Sequence, residues 1–232
     1  MKINHIITGF VLLLSLLLLS CGPILKVIGG LHDPVVYSQE EINENIAKLP
    51  IKLNTVDVQL KKALDEEEIK AFIFMSIPYT TYIYNSDNKL LCYNGETSCV
   101  IDEISELQNF TIDEKYVQCE SLTEISYFQN ALIDFNDVIG KTTLVSADEI
   151  SHYTYKVFII INTDIAKKSI VEDWNYIYDS LNHNENIVFV RVWTDLNENW
   201  GLKKGKKAKF KVRKVKGERE VEVFLKDLPY IR

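Results

Sequence analysis

Two apolar runs near the C-terminal end constrain this chain most: residues 156–161 (KVFIII) and Ile187–Trp193 (IVFVRVW). A strand apolar at nearly every position has no face to give to water, so both faces must be covered. Between the runs, Ile165, Ile170, Val171, Trp174, Ile177, Tyr178 and Leu181 line one side of a helix that ends near Asn182. Asn162-Thr163-Asp164 supplies a turn and a helix cap, and residues 184–186 turn the chain back. Strand, helix and strand with tight connections predict a βαβ unit with parallel strands. Trp200-Gly201 breaks the pattern. Residues 209–215 and 220–225 then alternate around Lys216-Gly217-Glu218, which predicts a hairpin.

Upstream, Ser38-Gln39-Glu40-Glu41 is a capping box that opens a short helix, closed at Leu49-Pro50. Residues 55–68 are expected as a second helix. Leu60, Ala63 and Leu64 share one face, and Asp65 to Glu68 form a solvated charged end. Residues 71–77 (AFIFMSI) are short and β-rich, which predicts a strand. Two more strands, at 81–84 and 89–93, flank the turn Asn85-Ser86-Asp87-Asn88, and Asn94-Gly95 marks another turn. Tyr79, Tyr82, Tyr84 and Tyr93 cluster there, either as a binding surface or as cross-strand packing.

Residues 100–107 read as a short helix. Ser121-Leu122-Thr123-Glu124 is another capping box. Leu122, Ile125, Phe128, Leu132, Phe135 and Ile139 follow at helical steps, with Gly140 at the expected C-terminal position. Residues 142–145 are expected as a short strand, and Ser146 as the cap of one helical turn. The fold class is therefore α/β. A sheet with flanking helices occupies the C-terminal half, preceded by a helix and β-hairpin region.

The hydrophobic fraction of 47% and charged fraction of 25% are those of a folded globular protein. A net charge of −7 argues against nucleic acid as the main partner. That charge is unevenly placed. Ten Lys/Arg and one acid, Glu218, lie between Lys203 and Arg219, a local +9; the remainder, at −7 less +9, carries −16. Such a tract could face anionic lipid. It could equally be the solvated, lysine-rich face of the hairpin, which guards an edge against mispairing.

The first 21 residues, MKINHIITGFVLLLSLLLLSC, carry a short positive start at Lys2 and an apolar run over residues 6–19. At 1.5 Å per residue that run covers roughly 21 Å, short of the ~30 Å hydrocarbon core. Gly22-Pro23 then discourages a helix from continuing, so the segment reads as an export signal. Leu18-Leu19-Ser20-Cys21 resembles the lipobox of bacterial lipoproteins. The resemblance implies cleavage before Cys21 and attachment of a diacylglyceryl group, with palmitate-like chains, to its thiol. Two or three acyl chains would anchor stably where one holds only marginally. In that family an Asp after the lipidated Cys often favours inner-membrane retention; Gly22 stands there, which implies the outer membrane, facing the periplasm.

Residues 156–225 run strand, helix, strand and hairpin, an order similar to the central part of thioredoxin-like domains. Asp195-Leu196-Asn197 and the turn at Lys216-Gly217-Glu218 add to the likeness. The family's redox CxxC would start the helix after the first strand. Asn162-Thr163-Asp164-Ile165-Ala166-Lys167 stand there, with no Cys, and Lys206-Lys207-Ala208 replace the family's cis-proline. Dithiol chemistry at the usual place would then lack its nucleophile. The implied organisation is a signal peptide at 1–20, a lipidated tether at 21–37, an N-terminal α/β region at 38–150 and a thioredoxin-like region at 151–232. Residues 38–232 could also be one domain.

Besides Cys21, the chain holds Cys92, Cys99 and Cys119. Export implies an oxidising compartment and hence one disulfide with a thiol left over. Cys92–Cys99, across the Asn94-Gly95 turn, is the first choice and Cys99–Cys119 the second. No pair has CxxC spacing. His32, His152 and His183 have no second ligand at metal spacing, and Asp195, Asn197 and Glu198 form only a single acidic loop. No GxSxG, P-loop or GxGxxG is present, so no catalytic residue, cofactor or metal is assigned. The first functional reading is a membrane-anchored, non-catalytic binding or scaffold module for an envelope protein or ligand. The second is an envelope thiol protein using Cys92, Cys99 or Cys119. The third is an enzyme with a dispersed site.

Overall fold

The structure is a computed structural model that describes residues 32–76, 81–95, 100–119, 134–144, 146–165, 170–183, 186–214 and 221–231. The expected export signal, the lipobox and Cys99 lie outside the described residues, as do Tyr79 and the capping box at Ser121.

The two apolar runs form β6 (Tyr155–Ile161) and β7 (Ile187–Trp193), buried at every position and paired in parallel from Tyr155↔Ile187 to Ile161↔Trp193. The helix between them is α6 (Ile170–Leu181). Four earlier strands complete a mixed sheet: β2 (Thr55–Gln59), β3 (Thr81–Tyr84), β4 (Leu90–Tyr93) and β5 (Tyr116–Gln118). The order is β2-β7-β6-β3-β4-β5. β2, β7 and β6 run parallel; β3, β4 and β5 continue antiparallel from β6. Strands from either side of residue 150 thus share one α/β sheet.

Both faces of the sheet are covered at β6 and β7, which accounts for their continuous apolar runs. Val157, Ile159 and Ile161 of β6 pack with Phe189 and Trp193 of β7 under Trp174, Ile177 and Leu181 of α6. Helix α3 (Val100–Glu106) and the single turn α4 (Ile112–Lys115) add Ile104 and Ile112 to that layer. Phe158 and Ile160 point the other way with Val188, Val190 and Val192. They meet Phe72 and Met75 of α2 (Glu66–Met75) and Phe135 and Val138 of α5 (Phe135–Lys141). Period-two alternation is therefore present but divided between two cores.

One polar residue interrupts the first layer. Arg191 of β7 is 0% exposed and gives a forked pair of bonds to Asp57 of β2, Nε to Oδ1 at 2.8 Å and an Nη to Oδ2 at 2.6 Å. Trp193 Nε1 also donates to Asp57 (2.7 Å), and Arg191 stacks over Trp174 at 5.0 Å. The buried guanidinium thus finds its counter-charge on a neighbouring strand, as burial of a charge requires.

Helix α1 (Gln39–Ala47) begins with the expected capping box at Ser38 and Glu41. The expected helix at 55–68 and strand at 71–77 are exchanged. Residues 55–59 form β2, because Val56 and Val58 alternate with polar residues beside β7. Asp65 caps α2 and Glu68 returns the bond, so the acidic run opens a helix where its carboxylates favour the positive end of the dipole. The segment 71–77 looks β-rich because α2 is buried on two sides. Phe72 and Met75 face the sheet, while Ile69 and Ile73 face a third cluster.

A continuous helix through Ile139 is also overturned at its centre: Asp134 is extended and caps α5, and Gly140 lies inside that helix rather than after it. Thr142 makes an isolated bridge to Leu60 rather than belonging to a strand. The hairpin at 81–93 forms as expected. Asn85 Oδ1 accepts from the N–H groups of Asp87 and Lys89, and Lys156 Nζ closes the turn on the Asn85 and Ser86 carbonyls. Burial pulls that ammonium's pKa down. Tyr82 and Tyr84 point into the second core, with Tyr84 edge-on to Phe135 and Phe158, so these two are packing residues.

The C-terminal hairpin, β9 (Phe210–Lys214) and β10 (Val221–Leu225), forms a separate two-stranded sheet and does not extend the main one. It packs Phe210 and Leu225 against Ile69 and Ile73 of α2. Val36 and Tyr37, within the span expected as tether, form β1 (Val36–Tyr37) parallel to β8 (Leu196–Asn197).

Candidate functional site

In open α/β sheets, ligands favour the carboxyl ends of the parallel strands. Here those ends carry a buried polar cluster. Asn162, just past β6, donates through Nδ2 to the Thr194 carbonyl (3.1 Å) and accepts through Oδ1 from the N–H groups of Asp164 and Ile165. Thr163 donates twice to Asp195, N–H to Oδ1 at 2.8 Å and Oγ1 to Oδ2 at 2.7 Å. Asp164 accepts from the Val35 N–H at 2.6 Å and from the Tyr37 hydroxyl at 2.8 Å. The expected turn at Asn162-Thr163-Asp164 therefore also fastens β1 to the main sheet.

Asp195 is the electrostatic exception in this cluster. It is 3% exposed, and burial pushes its carboxyl from 3.8 up to about 7. The two Thr163 donors oppose the rise and the neighbouring Asp164 adds to it. Burial and the Asp164 carboxylate hold the Tyr37 hydroxyl above its ordinary range. A neutral-range acid is a candidate general base only if a substrate can reach it. Both Asp195 oxygens are engaged by Thr163, so the cluster's evident work is to join β6, β7 and β1. Asn197 turns elsewhere, donating to Gln39 at 2.7 Å and accepting from the Asn199 N–H. Asp195 and Asn197 are not gathered with Glu198, and among the described residues no set of three His, Cys, Asp or Glu side chains is arranged for a metal.

The cysteines are paired otherwise than expected. Cys92 on β4 is bonded to Cys119, just past β5, with 5.0 Å between Cα atoms and a sequence separation of 27. The register sets this up: Leu91 faces Gln118, Cys92 faces Val117, and the Cys119 N–H donates to the Leu90 carbonyl. Neither Cys92–Cys99 nor Cys99–Cys119 can coexist with that bond. The bridge ties the last two strands of the antiparallel edge.

The basic tract forms a second polar surface. Lys203, Lys204, Lys206, Lys207, Lys209 and Lys211 are exposed, while Ala208 and Phe210 are buried. A cleft of ≈ 580 Å³ opens beside it, lined by Glu66, Lys207, Lys209, Lys226, Asp227, Leu228, Pro229 and Tyr230. Glu66 is engaged there, paired with Lys70 at 2.8 Å and accepting from the Leu228 N–H. The tract is marked in the sequence by its charge; the cleft arises only because the fold brings Lys226 and Tyr230 beside it.

His152 is exposed and stacks on Tyr153 at 4.1 Å; His32 and His183 are also exposed. No helix of the described residues is long and apolar enough to cross a membrane. Comparisons with protein-family models, with curated proteins and with solved structures found no match.

Proposed function

We propose that this chain is an extracytoplasmic lipoprotein, anchored through Cys21, whose folded part is a non-catalytic binding or scaffold module for an envelope protein or ligand. The single observation that carries this reading is Leu18-Leu19-Ser20-Cys21 after a charged start and an apolar run. The Cys92–Cys119 bond supports it, since such bonds persist in oxidising compartments. Gly22 after Cys21 supports an outer-membrane destination, facing the periplasm. A thioredoxin-like reading of the core is part of the proposal. It draws on parallel β2, β7 and β6 with antiparallel β3 and β4 alongside, and puts Asn162-Thr163-Asp164 where that family carries its thiols.

The test is fractionation with radiolabelled palmitate. The parent incorporates label and stays with the membrane; Cys21→Ala loses both. Retention of the variant as firmly as the parent refutes the anchor. The second reading, thiol–disulfide exchange, is favoured by one observation, the partly exposed pair Cys92 and Cys119. Thiol titration of native protein separates the two. A bond that resists mild reductant, with no fast-reacting thiol, leaves the scaffold reading; ready exchange replaces it.

A further inference from the structure

The segment that would lead from Cys21 into the fold joins the fold on the lysine-rich tract. The Phe210 N–H donates to Asp33 Oδ1 at 2.9 Å, and the Ala208 N–H to the Pro34 carbonyl at 2.9 Å. Val35 bridges Lys207, the Val36 N–H donates to the Lys206 carbonyl, and the Gly205 N–H to the Val36 carbonyl. The chain thus enters the domain laced along residues 205–210. Eleven residues, twelve Cα-to-Cα steps, separate Cys21 from Asp33. Even fully extended they reach only about 43 Å. A domain of this length is itself about 40 Å across. That reach is about one domain width, so it is the bonds of residues 33–36, rather than the tether's length, that put the lysine tract where the proposed tether joins the domain.

The same face carries exposed apolar groups. Leu202 bridges Tyr230, and the Ile231 N–H donates to the Gly201 carbonyl. Tyr230 is 41% exposed and Ile231 66%. An aromatic ring and an aliphatic side chain among lysines suit the boundary between headgroups and acyl chains. The acids on or beside this face include Asp33, accepting from the Phe210 N–H, Glu41, paired with Lys204 at 3.2 Å, Glu66 and Asp227 at the cleft, and Asp65 near Tyr230. Lysines outnumber them.

We propose that the face formed by Lys203, Lys206, Lys207, Lys209, Lys211 and Lys226 docks on the anionic lipid headgroups of the membrane that holds the anchor. The occupant follows from charge complementarity and from the position of residues 33–36. The orientation rests on the lipid-anchor reading; the affinity of the face does not.

The test uses residues 21–232 with Cys21→Ser, so that no acyl chain contributes. Flotation is measured with vesicles of phosphatidylcholine alone and with phosphatidylglycerol added. The expected result is binding only to the anionic vesicles at about 0.05 M salt and loss by about 0.5 M, where screening is short-ranged. Each neutralised lysine should weaken binding about fivefold, so Lys207→Gln, Lys209→Gln and Lys211→Gln together should weaken it about a hundredfold. Circular dichroism and an intact Cys92–Cys119 bond establish that both proteins are folded. Equal binding to neutral vesicles, no binding to anionic ones, or an unaffected triple variant overturns the proposal. Palmitate labelling of the parent judges the anchor separately, so either reading can fail alone.

Discussion

Replacing Asp195 with Asn should change how stability depends on pH more than stability itself. Asp195 is buried and titrates near 7, while the same carboxyl in the unfolded chain titrates near 3.8. Between those values the folded state keeps a proton that the unfolded state has released. Stability must then fall as pH rises through that window and level off above it. The rise corresponds to about 4 kcal/mol in total. Thr163 donates to this carboxyl twice, N–H to Oδ1 at 2.8 Å and Oγ1 to Oδ2 at 2.7 Å; where Oδ2 carries the proton, the hydroxyl must turn and accept from it. An amide side chain can reproduce both bonds, with Nδ2 as the donor, and it never ionises. Urea denaturation of both proteins at about pH 4.5 and about pH 7.5 supplies the assay. The Asp195→Asn variant should gain about 3 kcal/mol on the parent between those two points. A difference that stays constant with pH refutes the reasoning. So does a parent that gains on the variant as pH rises, because the Thr163 donors would then be holding the carboxylate ionised.

Other outcomes follow from the fold. Reducing Cys92–Cys119, or the double change Cys92→Ser and Cys119→Ser, should cost about 3.5 kcal/mol, the loop-closure entropy of a 27-residue separation; a urea midpoint that hardly moves would deny the bond a structural role. Asp57→Ala strands the buried Arg191 and should cost about 3–5 kcal/mol in chemical denaturation. Adding Arg191→Met should recover much of that loss, and a double variant no more stable than Asp57→Ala would show that the ion pair is not the cause. Asp65→Ala removes the cap of α2 and should cost about 1 kcal/mol. Were the acidic run a helix C-terminus, removing a carboxylate there would stabilise instead, so the sign of the measured change decides.

What could be read in the sequence depended on whether the deciding interaction was local. The strands β6 and β7, helix α6, the hairpin at 81–93 and the pairing of β9 with β10 were legible because their burial and periodicity are written in consecutive residues; the turn expected at Lys216-Gly217-Glu218 lies outside the described residues. Helix α2 was not, although Asp65 and Glu68 have capping-box spacing. Its double burial erased the polar face by which a helix is recognised, and the acids were assigned to the wrong end. The disulfide was illegible for a related reason. Cys92 meets Cys119 only because β4 and β5 pair across a long intervening stretch, a choice that no local turn dictates.

The lysine tract shows where these two kinds of information meet. Its charge and the alternation of Lys207, Ala208, Lys209, Phe210 and Lys211 are legible, and they predict one wet face and one buried one. They are equally compatible with a merely solvated hairpin. The distinguishing fact is nonlocal: Asp33 is bonded to Phe210, 177 residues along the chain, and Pro34 to Ala208. On the proposed lipid-anchor reading, that contact puts the root of the anchor and the most cationic surface in one place. A solvated edge needs lysines but gains nothing from such a neighbour, whereas a domain held at a lipid surface gains electrostatic attraction only if its cations lie on the anchored side. The position of residues 33–36 along the tract, rather than the count of lysines in it, therefore favours membrane docking.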